Sequence, residues 1–199
     1  MLMNKKIISS TEKIQTSLVF LDFETTGLNP NKDTIIEIGA LKLYPNGKQE
    51  IFQSLINPNQ RLRPIITQIT HITDKMLENA PSLENQIPKL LKFINNTTLV
   101  AHNAKFDCKF LENTCKKLKL TYPKNNVICT LKIAKKRKEP QCSLTKLGEK
   151  YNIINKHAHR ALDDAIATKD LYFKFNENHT GDYNKENTKK ITKQQRTTL

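Results

Sequence analysis

An α/β fold is predicted by this 199-residue sequence: a mixed sheet, made of a three-stranded antiparallel meander plus parallel strands, flanked by helices. Three observations predict it. Short apolar, β-branched segments come first, over Ser17–Phe23, Thr34–Tyr44 and Glu50–Ile56, with turn residues between them. Shorter strand-like segments then alternate with segments of helical period. Hydrophobic residues make up 37% of the chain, enough for one core and one domain.

Residues 1–16 form a polar leader. Lys5 and Lys6 precede Ser9, Ser10, Thr11 and Glu12, where a secretory signal would carry an apolar run. Ser17–Phe23 (SLVFLDF) is a buried strand, and Gly27, Asn29, Pro30 and Asn31 make the turn after it. Pro45, Asn46 and Gly47 join the second strand to the third as a hairpin. Thr73–Glu78 opens on a helix-start signal. Ser82–Asn95 places Leu83, Ile87, Leu90, Leu91 and Ile94 at helical spacing, with Pro88 inside to disturb its start or straightness. Thr98–His102 is the fourth strand. Lys105–Leu120 is a helix with Phe106, Phe110, Leu111, Cys115 and Leu118 inward. Val127–Leu131 is a short fifth strand running into the basic segment Lys132–Lys138, either a solvated loop or a phosphate contact outside the active site. Leu144–Tyr151 and Ala161–Phe175 are amphipathic helices. Residues 176–199 keep only Tyr183, Ile191 and Leu199 as hydrophobics, the composition of a disordered polar tail.

The composition excludes several classes. No apolar run approaches the ~18 residues of a membrane span. Cys108, Cys115, Cys129 and Cys142 form no CxxC pair, and four thiols without an export signal fit a cytoplasmic location. The net charge of +14 favours polyanionic partners, although an excess of Lys and Asn also follows from AT-rich coding.

Three clusters carry chemistry. Asp22 and Glu24 flank Phe23 at the end of the first strand, so strand alternation points both carboxylates to one face. Such a pair repels itself unless a hard cation neutralises it; the plainer reading is a polar strand end entering a turn. Asp107 lies in the first turn of a helix, where the dipole alone would favour an acid. His159 and Asp164 are five apart and cannot share a helix face, so His159 precedes the helix that holds Asp164. A loop imidazole beside a helical carboxylate suits a base-and-ligand pair, or is a surface histidine.

Together the segments DFETTGL, AHNAKFDCKFL and HRALDDA, in that order, resemble the DEDDh 3′→5′ exonuclease family, including the epsilon proofreading subunit of bacterial DNA polymerase III and its stand-alone relatives. CSLTKLGEKYNI, from Cys142, resembles the stretch before the third motif. The resemblance covers residues 17–175 and implies a ribonuclease H-like fold. It implies Asp22, Glu24, Asp107 and Asp164 as ligands of two Mg²⁺ ions (Mn²⁺ substituting) and His159 as general base. It implies that Thr25, Thr26 and Leu28 line the 3′-terminal nucleotide, that Asn103 and Phe106 shape the pocket, and that His71 lies near it. Cys129 stands where many relatives carry an Asp outside the ligand set. The implied activity is 3′→5′ removal of nucleoside 5′-monophosphates from single-stranded or frayed 3′ ends, DNA favoured, in proofreading or repair. The implied partner is the DNA polymerase III alpha subunit. RNA 3′-end trimming is the alternative, and a non-catalytic nucleic-acid-binding or scaffolding module is a third class.

Overall fold

The computed structural model describes residues 16–177. The leader and tail expected from sequence fall almost wholly outside them. Five strands, β1 (Leu18–Thr25), β2 (Ile35–Leu43), β3 (Gln49–Leu55), β4 (Thr98–Ala101) and β5 (Asn126–Cys129), form one sheet in the order β3-β2-β1-β4-β5. β2 pairs antiparallel with β1 and β3, while β4 pairs parallel with β1 and β5. The meander and the parallel extension are as the sequence predicts.

β1 is central, and its alternating side chains feed two cores. Val19, Leu21 and Phe23 pack with Ile87, Leu90 and Ile94 of α3 (Leu83–Ile94) and with Phe110, Leu111 and Cys115 of α4 (Lys105–Lys117). Leu18 and Phe20 point to the other face, against Ala165, Tyr172 and Phe173 of α7 (Ala161–Asn176). By the same alternation Asp22 and Glu24 emerge on the α7 side. β2 is buried along its whole length, as expected of a strand covered on both faces. α6 (Leu144–Tyr151) packs Leu147 with Leu171 and Phe175 of α7.

The structure corrects several element boundaries. A helix over Pro64–Thr70, α1, has no counterpart in the sequence reading; Pro64 at its first position is the signal that was present. The next, α2, is short, Asp74–Leu77, capped by the Thr73 hydroxyl. α3 continues through Pro88. α4 ends at Lys117 rather than Leu120. The basic segment is no loop: Thr130–Lys136 is α5, which buries Thr130 and Ala134 and leaves Lys132, Lys135 and Lys136 exposed. Asn176, expected to open the tail, is the last residue of α7.

Candidate active site

β1 and β4 run parallel, so their C-terminal ends share one edge of the sheet, and the three motifs meet there. Asp22 and Glu24 arrive on β1, both partly buried. Asp107 arrives on the first turn of α4 and is buried; its Oδ1 accepts the backbone N–H of Phe23 at 3.2 Å, which ties the second motif to the first. Asp164 arrives on the first turn of α7. His159 stands just before that helix, with φ at 65° and its side chain exposed. One ligand atom each from Glu24, His159 and Asp164 fall within 4.8 Å of one another.

The cluster is electrostatically loaded. Burial first, then the charges of Asp107, Asp164 and Glu24, push the Asp22 carboxyl well above the usual range. Burial, followed by Asp164, Glu37 and Asp107, raises Glu24 to about 8, against a smaller lowering by Arg160. Burial raises Asp107 to about 8, opposed by hydrogen bonds from its own N–H and that of Phe23. Burial also raises Asp164, opposed by hydrogen bonds from Asn155 and from the His159 backbone N–H at 3.1 Å. Burial raises all four carboxyls, and neighbouring carboxylates add to it at Asp22 and Glu24, so the cluster gathers oxygen donors of the kind hard divalent cations take.

The residues expected around the substrate are less gathered. Leu28 is 84% exposed, beyond the turn that follows β1. The Thr25 hydroxyl donates to the Gly27 carbonyl, and the Thr26 hydroxyl accepts from the Thr34 N–H, so both serve that turn. Asn103 is exposed at φ 63° between β4 and α4. Phe106 packs its ring on Phe110, 4.8 Å between centroids, at the margin of the core. His71 is exposed as the left-handed C-cap of α1. His102 bridges the Thr130 hydroxyl and the Cys142 carbonyl, each at 2.9 Å, a structural placement that ties β4 to the starts of α5 and α6.

Three functional neighbours escaped the sequence reading. Glu37 of β2 is fully buried and grips Arg160, with Nη2 to Oε1 at 2.8 Å and Nε to Oε2 at 3.1 Å; it also accepts the Ala161 N–H at 3.0 Å. Its signal was one acid in an otherwise apolar strand, TIIEIGA. Gly39 lets the start of α7 lie directly on the sheet: a Cβ there would sit 2.2 Å from the Ala161 carbonyl carbon and the Leu162 nitrogen. Asn155, in the loop before α7, donates to Asp164 Oδ1.

Comparison with known proteins agrees with this geometry. The profile of the family described as Exonuclease, RNase T, matches residues 19–172. The chain is 36% identical over 167 residues to a DNA polymerase III of the PolC type from Caldanaerobacter subterraneus subsp. tengcongensis, and 41% identical over 160 residues to that of Thermotoga petrophila; the alignments cover 83% and 80% of this chain. They span only 12% of each polymerase. Among solved structures, Exonuclease X in complex with 5′ overhanging duplex DNA superposes with a TM-score of 0.63 at 28% identity, over 81% of this chain and 92% of that one. E. coli Exonuclease I in complex with a dT13 oligonucleotide shares the fold, with a TM-score of 0.71 at 18% identity over 81% and 40%. The match across most of the chain, and the meeting of its acidic motifs at one sheet edge, show that it belongs to the RNase T family of DEDDh exonucleases.

Proposed function

We propose that this exonuclease removes nucleotides from single-stranded or frayed 3′ ends of DNA, releasing nucleoside 5′-monophosphates in proofreading or repair. The observation that carries this reading is the convergence of Glu24, His159 and Asp164 within 4.8 Å, beside Asp22 and Asp107. Family membership implies a divalent metal, and the donor set fits one: buried carboxylate oxygens, with Asp22 and Glu24 raised further by their carboxylate neighbours. Asp22, Glu24, Asp107 and Asp164 would hold two ions, Mg²⁺ with Mn²⁺ as substitute. The chemistry these cations supply when bound is neutralisation of the phosphate and activation of a water.

The chain's own groups do the rest. The exposed imidazole of His159 takes the proton from the attacking water. The carboxylates of Glu24 and Asp164 orient that water. The exposed side chain of Leu28 offers an apolar surface to the terminal base, and Thr25 and Thr26 hold the turn that presents it. Asn103, Phe106 and His71 are assigned to the walls of the nucleotide pocket. Likeness to part of a PolC-type polymerase supports work beside a replicative polymerase, and the DNA polymerase III alpha subunit is the partner to test.

Digestion of 3′-labelled single-stranded DNA, mismatched duplex and RNA in parallel, with Mg²⁺ or chelator, tests the reading. Metal-dependent release of 5′-mononucleotides from the DNA 3′ ends is expected. Faster turnover of RNA would move the protein to the RNA-trimming class, and no turnover of any substrate would leave the binding-module reading.

A further inference from the structure

We propose that Glu37 is a positioning residue: from inside the sheet it fixes the rotation of α7 about its own axis, and so aims Asp164 and His159 at Asp22 and Glu24. Glu37 sits on β2 directly across the ladder from Glu24. With a side chain 0% exposed, it cannot reach a substrate. Its carboxylate takes the Arg160 guanidinium side-on, through Nε and Nη2, and caps the helix by accepting the Ala161 N–H. The helix's own N-cap residue, Arg160, supplies no side-chain cap, so this carboxylate does so from another element.

A buried ion pair is a poor device for holding a helix against a sheet, since apolar residues of similar volume do that as well or better. What apolar contact lacks is direction. A planar fork plus one backbone N–H defines an angle as well as a distance. That angle matters because Asp164 lies one turn beyond Arg160, its N–H bonded to the Arg160 carbonyl at 3.0 Å. Each residue of an α-helix turns about 100°. A small rotation of α7 therefore swings the Asp164 carboxylate, and with it the His159 N–H bonded to Oδ2, away from β1. Gly39 sets the depth at which α7 lies, and Glu37 sets its angle.

Two variants of the full chain separate aim from attachment: Glu37→Gln, and the apolar pair Glu37→Leu with Arg160→Leu. Mn²⁺ alone is titrated into each and followed by electron paramagnetic resonance; melting temperatures are read in chelator. The expected result is a fall of about 10- to 100-fold in Mn²⁺ affinity in both variants, with the apolar pair melting close to wild type, its gain in apolar packing offset by the lost cap on the Ala161 N–H. The kinetic arm rests on the exonuclease reading: kcat on 3′-labelled single-stranded DNA falls by the same order, with KM within about twofold. Wild-type Mn²⁺ affinity in the apolar pair would show that attachment alone suffices and overturn the proposal. If that pair does not fold, wild-type affinity in Glu37→Gln overturns it instead. A wild-type chain that binds Mn²⁺ but cleaves nothing sinks the exonuclease reading and leaves the Mn²⁺ arm to judge Glu37.

Discussion

Gly39 lies directly across the β1–β2 ladder from Asp22, and the space its missing side chain leaves is filled by the backbone of Ala161 and Leu162. The absent Cβ on one strand thus brings the third motif to the first. Gly39→Ala is expected to push α7 off the sheet, costing about 1–3 kcal/mol. Nuclease activity should fall more steeply than stability does. Denaturant melts beside turnover of a labelled oligonucleotide check both, and an unchanged melt would mean that α7 gives way freely.

Replacing Asp22 or Asp164 with Ala should abolish turnover while leaving the fold intact. Each change also removes a carboxyl that is costly to ionise in a crowded cluster, so the metal-free variants should melt no lower than wild type. Circular dichroism and a nuclease assay on the same samples decide it; unaltered turnover would overturn the metal assignment.

Metal-free protein should lose stability as pH rises from about 4.5 to about 8. Glu24 and Asp107 keep their protons to about 8 in the folded chain, against 4.5 and 3.8 for the ordinary groups. Across that window the unfolded state holds fewer protons than the native one, so the slope of stability against pH is negative. Melting in chelator at pH 5 and pH 8 should give the lower Tm at pH 8, and Mg²⁺ or Mn²⁺ should restore it there.

His159→Ala should slow hydrolysis by roughly 10²–10⁴-fold, the range for a lost general base, with Mn²⁺ affinity largely kept. Collapse of that affinity would make His159 a ligand instead, an outcome its place in the 4.8 Å group leaves open to measurement.

Lys132, Lys135 and Lys136 share the exposed face of α5, and among the described residues none has an acid within ion-pair distance. Changing all three to Gln should flatten the slope of log binding constant against log salt for single-stranded DNA by roughly 2, at about 0.7 per lost phosphate contact. A slope equal to wild type would make the face a solvated one.

The sheet was legible because β1 to β3 are apolar, β-branched and separated by turn residues, so pattern and structure agree. The lysines and arginine of α5 look like a solvated loop in sequence, whereas Thr130 and Ala134, with the partly buried Ile133, supply its inward stripe. The ends of the motifs were readable to the residue: Asp107 in the first turn of α4, and His159 ahead of α7 with Asp164 inside it. Glu37 and Gly39 were not, because what packs on them comes from the start of α7, 124 residues beyond Glu37, and a strand's own pattern does not encode that. The residues expected to line the substrate share that limit, since Leu28 and His71 stand in solvent and any use of them would depend on a strand of nucleic acid.

The order in which the site's parts occur along the chain has a consequence for synthesis. Asp22, Glu24 and Asp107 come first, but Asp164 sits on the last helix described, with Arg160 at that helix's N-cap. A ribosome must deliver nearly the whole domain before the fourth carboxylate can join the others. On the proposed assignment, a nascent or truncated polypeptide ending before residue 160 would carry most of the acidic side chains yet lack the last carboxylate, and it is expected not to cut.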